Sequence, residues 1–134
     1  MCPSIYLPWY IHPVEWEVEV TDEFERWWKS LTVAEQEDVR AVVLLLRAFG
    51  PALKNPFSSG VRTSRHSHMR ELRIQHRGKP YRVLYAFDPR RTAILLLGGR
   101  KTGDGRWYKT FVPIADRIYD EYLETLKQEG LIDG

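Results

Sequence analysis

Apolar and polar positions change period several times along the chain, and each change marks an element. Trp16, Val18 and Val20 alternate with Glu15, Glu17 and Glu19, the period-two signature of a short strand with one face buried. Thr21 then stands where a helix N-cap belongs, followed by Asp22 and Glu23. Carboxylates are favoured there by the free amides and the helix dipole. The short helix this predicts runs to about Lys29 and buries Phe24 with one or both of Trp27 and Trp28. Thr32 and Glu35 have capping-box spacing at the start of a second helix. Its buried stripe is read from Val39, Val42, Val43, Leu46 and Phe49, which recur at three- and four-residue intervals. Gly50-Pro51 ends it, and the two helices are expected to form an antiparallel hairpin.

Residues 51–67 carry Pro, Gly, Asn and Ser with little periodicity and read as loop. Three strands follow, Met69 to Ile74, Tyr81 to Phe87 and Thr92 to Leu97. They are separated by a turn over Gln75 to Pro80 and a tight turn at Asp88-Pro89-Arg90-Arg91. The third strand is the most apolar and is expected at the sheet centre, with Gly98-Gly99 releasing the chain after it. Pro113 is expected in the first turn of a last helix, with Ile114, Ile118, Tyr122 and Leu126 four apart on one face. The order β-α-α-β-β-β-α predicts an α+β fold. Its N-terminal helical hairpin packs on a small, mostly antiparallel sheet with a C-terminal helix. One domain is expected over residues 15–130, after an N-terminal extension at 1–14.

At 134 residues, with 43% apolar and 28% charged positions, the chain can build one core and is not expected to be disordered. The single cysteine, Cys2, excludes an internal disulfide. No apolar run approaches a membrane span, and the first residues lack a basic stretch before an apolar one. A cytoplasmic location is therefore expected. The net charge of +2 conceals a strong segregation: residues 1–53 sum to −5, residues 54–109 to +11 and residues 110–134 to −4. Such a middle segment focuses positive potential and predicts contact with a polyanion, RNA foremost. The alternative is a solvated face balanced by the acidic flanks.

Arg73, Arg82 and Lys101 lie on, or just past, three successive strands, so a meander would bring them to one face. Guanidinium groups make paired bonds to phosphate. Arg70, Arg77, Lys79, Arg100 and Arg106 extend the basic surface, and Trp107 and Tyr108 supply rings able to stack on bases. His66 and His68 are the rival acid–base pair, although loop or surface histidines are the commoner case. A metal site is disfavoured because no carboxylate lies close before Glu71. Gly98-Gly99 lacks the spacing of a phosphate-binding loop. No cofactor is expected.

The strings Met69-Arg-Glu-Leu-Arg73, Tyr81-Arg-Val-Leu-Tyr85, Leu95-Leu-Leu-Gly-Gly-Arg-Lys101 and Trp107-Tyr108 resemble the RelE/HigB toxin superfamily. The likeness is greatest to its phage Gp49-like, HigB-type branch, which Pro113 to Tyr119 also fits. It spans about residues 15 to 127, and the order and spacing of the strings carry it rather than any one of them. It implies the toxin of a type II toxin–antitoxin pair, a metal-independent, ribosome-dependent endoribonuclease that cuts messenger RNA in the A site. It also implies an antitoxin partner with a helix-turn-helix DNA-binding domain. By position, Arg82 matches the arginine that contacts the scissile phosphate and is expected to face substrate. Arg73 matches a basic residue of the preceding strand, Lys101 one just after the last strand, and Tyr108 a late tyrosine. Glu71 departs from the pattern, which has lysine there. The same superfamily includes ParE-like inhibitors of DNA gyrase, the alternative function.

Overall fold

The computed structural model describes residues 15–103 and 105–134. The extension expected over residues 1–14, with Cys2, lies outside the described residues. The elements are β1 (Val18–Val20), α1 (Asp22–Ser30), α2 (Val33–Phe49), a 3-10 turn (Gly50–Ala52), β2 (Ser58–Gly60), β3 (Arg70–His76), β4 (Lys79–Phe87), β5 (Ala93–Arg100) and α3 (Arg106–Gln128). The strands form one sheet in the order β1-β5-β4-β3-β2. It is parallel where β1 meets β5 and antiparallel elsewhere. The fold is α+β.

Both predicted N-caps are present. The Thr21 hydroxyl accepts from the Phe24 amide at 3.1 Å. Thr32 and Glu35 form the reciprocal capping box, at 3.1 and 2.7 Å. These bonds satisfy amides that no helical carbonyl can reach. The β3–β4 connection is the two-residue loop Arg77-Gly78, with φ of 50° and 77°. Positive φ at both positions matches the strand twist of a tight hairpin.

Side chains alternate across the sheet and build two cores. Leu72, Ile74, Tyr81, Val83, Tyr85 and Leu95 face α1 and α2, where Phe24, Val39, Val42 and Leu46 meet them. Met69, Leu84, Ala86, Ile94 and Leu96 face α3 and its Trp107, Val112, Ala115, Ile118 and Tyr119. The sheet is thus covered on both sides.

Several expectations need correction. Ser58–Gly60, read as loop, is an edge strand paired with Arg70–Leu72. It shows no apolar alternation because its inward hydroxyl binds the Tyr85 phenol at 2.7 Å instead of packing. The central strand is β4, with the apolar β5 one place off centre. Gly98-Gly99 does not release the chain, since β5 runs on to Arg100. The Trp27 ring occupies the place a Gly98 side chain would take, and Trp107 comes within 3.0 Å of the corresponding point on Gly99. Two indoles thus press on opposite faces of β5. Pro113 lies inside α3, which begins at Arg106. Its ring is exposed, so the carbonyl left without an amide partner one turn earlier faces water. Phe49 and Val20, assigned to buried stripes, are 54% and 44% exposed.

Candidate functional site

On the α3 side of the sheet, β3 and β4 place Glu71, Arg73 and Arg82 together. Arg73 and Arg82 are direct register partners, and Glu71 lies two residues before Arg73 on the same face. The first turn of α3 brings in Tyr108. Lys101 continues from β5, its amide bonded to the Pro80 carbonyl at 2.9 Å.

The centre of this group is the Glu71 carboxylate, 3% exposed. One oxygen accepts the Tyr108 hydroxyl at 2.6 Å and lies 3.5 Å from Arg82 Nε. The other accepts from Ser59 Oγ at 2.9 Å and Arg73 Nε at 3.2 Å. Arg82 also donates Nε to the Tyr108 oxygen at 3.2 Å and Nη1 to the Tyr81 carbonyl at 3.1 Å. The Tyr108 phenol therefore donates to the Glu71 carboxylate and accepts from the Arg82 guanidinium. Burial, with the Glu71 hydrogen bond adding to it, pushes its pKa up, which keeps it a neutral donor. Lys101 Nζ sits 5.8 Å from the centroid of the Tyr108 ring and covers that face. A cavity of ≈ 450 Å³ opens beside β3. Arg73, Gln75, Arg82, Pro56, Phe57 and Asp38 are among its lining residues.

The structure thus brings Arg73, Arg82, Lys101 and Tyr108 together, around a carboxylate. Arg82 is 6% exposed, its guanidinium enclosed by Tyr108, Glu71 and the Tyr81 carbonyl. Arg73 is the open member, with 41% of its side chain accessible. Two guanidiniums on rigid strands, one ammonium and one neutral phenol form a positively charged corner despite Glu71. Such a group can hold a phosphate and stabilise charge growing on its oxygens.

The other expected contact residues do not join it. Arg70 projects to the opposite face and clamps the chain before β3, reaching Ser58 Oγ at 3.1 Å and the Leu53 carbonyl at 3.3 Å. Arg77 forms the hairpin turn and Lys79 opens β4, both exposed. Arg100 is the register partner of Tyr81, on the α1–α2 side. Arg106 is exposed at the start of α3 and packs by Gly103. Trp107 is only 4% exposed and packs in the core, its ring tilted against Phe111 with centroids 5.0 Å apart.

His66 and His68 lie elsewhere. His66 Nε2 is 2.8 Å from Asp120 and His68 Nε2 is 3.0 Å from the Tyr119 hydroxyl. Eleven residues of α3 separate Tyr108 from Tyr119, roughly 16 Å of helix. Burial pulls the His66 pKa down. Asp116, buried beneath this loop, accepts from Ser64 Oγ at 2.5 Å and the Arg65 amide at 3.1 Å, so the cluster fastens the loop to α3. Among the described residues no group of three His, Cys, Asp or Glu side chains is arranged to hold a metal ion, and no helix is long and apolar enough to cross a membrane. Sequence reasoning missed Glu71 and Ser59 as parts of the site. The available signal was the two-residue spacing of Glu71 and Arg73 on one strand.

Comparison with known proteins extends this description. Residues 26–120 match the family described as Phage derived protein Gp49-like (DUF891). Two proteins of Mycobacterium tuberculosis (strain ATCC 25618 / H37Rv), named as candidate toxins, are similar in sequence. HigB3 is 41% identical over 75% of this chain and 88% of its own length. HigB2 is 38% identical over 82% of this chain, which spans 55% of that longer protein. An Escherichia coli RelE toxin mutant in the free state aligns with 84% of this chain and 98% of its own, at 12% identity and a TM-score of 0.48. That structural likeness is too distant to carry argument, whereas the family match and the identities above 30% are decisive. The chain belongs to the Gp49-like branch of the RelE/HigB toxin superfamily of type II toxin–antitoxin systems.

Proposed function

We propose that this protein is a toxin that cleaves messenger RNA on the ribosome, acting in the cytoplasm without a metal ion or cofactor. The observation that carries this reading is the meeting of Arg73, Arg82, Lys101 and Tyr108 at one corner of the sheet. Family membership supports it. In the reaction, the 2′-oxygen of one nucleotide attacks the adjacent phosphorus, the bond to the 5′-oxygen breaks and a cyclic phosphate forms. The 2′-hydroxyl gives up its proton and the departing 5′-oxygen gains one. Charge rises on the non-bridging oxygens, where Arg73 and Arg82 stabilise the transition state more than the ground state. Lys101 supplies a third contact or the proton for the 5′-oxygen. Tyr108 is the poor candidate for a base, since its phenol is held neutral, and its role is to orient the 2′-hydroxyl and Arg82. Arginine stays protonated and is no base either. Geometry imposed by the ribosome-bound message therefore supplies part of the catalysis.

The partner proposed is a cognate antitoxin bearing a helix-turn-helix domain. An acidic segment of it would neutralise a basic middle region of charge +11 over residues 54–109. Mapping of 5′ ends on cellular messages after brief expression tests the nuclease reading. New ends that require translating ribosomes are expected. Loss of plasmid supercoiling without new ends would instead establish the gyrase-inhibitor alternative.

A further inference from the structure

Glu71 stands where the superfamily pattern has lysine, and it is the acid at the centre of an otherwise basic site. Its geometry is that of a fastening point. Three donors and one further cation, from four different elements, converge on two oxygens: Tyr108 from α3, Ser59 from β2 and Arg73 from β3 donate hydrogen bonds, and Arg82 from β4 pairs by charge at 3.5 Å. Like charges directly opposite each other across two strands repel, and Arg73 and Arg82 are such a pair. A carboxylate between them offsets that repulsion and sets the angle of both guanidiniums. The same carboxylate also opposes any phosphate that approaches those guanidiniums.

We propose that Glu71 is a positioning residue for RNA cleavage, which holds Tyr108, Arg73 and Arg82 in reactive geometry while weakening RNA binding. The inference rests on the nuclease reading above. Glutamine at this position keeps one acceptor oxygen but turns an amide donor toward an arginine. The trio then loses its common anchor, and one positive charge is left uncompensated. Binding and turnover should therefore move in opposite directions, which loss of a purely structural ion pair would not produce.

The test compares the wild-type chain with Glu71→Gln and Glu71→Asp in two assays. One is single-turnover cleavage on ribosomes programmed with a defined message. The other is binding of a single-stranded RNA oligonucleotide carrying 2′-deoxy sugars, which cannot be cut. For Glu71→Gln, the cleavage rate is expected to fall about a hundredfold. RNA affinity is expected to tighten about tenfold at low salt. The slope of log affinity against log salt should steepen by about 0.7, one further phosphate contact on a single strand. Glu71→Asp keeps the charge and should restore the wild-type salt slope with part of the cleavage. Unchanged cleavage in Glu71→Gln overturns the proposal. So does weakened RNA binding together with weakened cleavage and a lowered melting temperature, which would mark Glu71 as structural only. In both of those cases the wild type still cuts, so the nuclease reading stands. A wild-type chain that cuts no message removes that reading and this inference with it.

Discussion

Replacing Arg82 by alanine removes a side chain that works in two ways, and the structure separates them. The guanidinium is nearly inaccessible and bonds the Tyr108 oxygen at 3.2 Å and the Tyr81 carbonyl at 3.1 Å, with Glu71 at 3.5 Å. Breaking a buried ion pair costs about 3–5 kcal/mol when the remaining charge is left alone. Glu71 is not left alone, because Arg73, Ser59 and Tyr108 still bond it. The loss is then that of a charge-assisted hydrogen bond or two, about 2 kcal/mol. A chain of 134 residues has an unfolding entropy of about 0.3 kcal/mol/K near its midpoint, so the melting temperature should fall by about 7 °C. Calorimetry of wild type and variant measures the shift. Cleavage on programmed ribosomes, assayed at a temperature where both chains are folded, should fall by at least about a hundredfold. A melting temperature within one or two degrees of wild type would refute the burial argument, and undiminished cleavage would refute the assignment of Arg82.

Two other perturbations probe the scaffold. A methyl group at Gly98 has no room beneath the Trp27 indole, so Gly98→Ala should destabilise by about 1–3 kcal/mol, read by urea denaturation. Gly99→Ala, with its nearest neighbour at 3.0 Å, should cost less, and a reversed order would contradict the packing described. The third concerns acid. Glu35 has its pKa lowered to about 2, chiefly by the Tyr81 hydroxyl and then by the Thr32 amide. A carboxyl depressed in the folded state adds stability that is complete above its unfolded pKa and lost as pH falls through the folded one. Tyr81→Phe should therefore be less stable than wild type at pH 6, with the gap closing between about pH 4.5 and 2. A gap independent of pH over that range would show that the hydrogen bond does not act through Glu35 ionisation.

Periodicity alone located α1, α2 and the cores of β3, β4 and β5, because each has a buried stripe at its own repeat and a stop or cap at its end. Thr21, Thr32, Glu35 and Gly50 did the work of punctuation. The elements that were missed lack such a stripe. β2 is Ser58-Ser59-Gly60, held by backbone pairing and by the partners of its hydroxyls, and those partners lie 12 to 27 residues away. The first turn of α3 was hidden by Pro113, which marks helix starts more often than interiors. The placement of α3 opposite the hairpin, which no local pattern encodes, follows from both faces of β4 and β5 being apolar.

For the site, the sequence by itself determined the inventory: a basic middle segment, with Arg73, Arg82, Lys101 and Tyr108 in strand-linked order. Charge and order are properties of the chain and survive unfolding. Only the tertiary structure decided which groups meet. Strand register set Arg73 against Arg82 and sent Arg70 and Arg100 to the other face, since one residue of offset reverses a side chain's direction. Packing of α3 buried Trp107 and delivered Tyr108 to Glu71. Partnership of that kind is fixed by distances of a few ångströms between residues 11 to 37 positions apart, and such proximity exists only once the chain has folded.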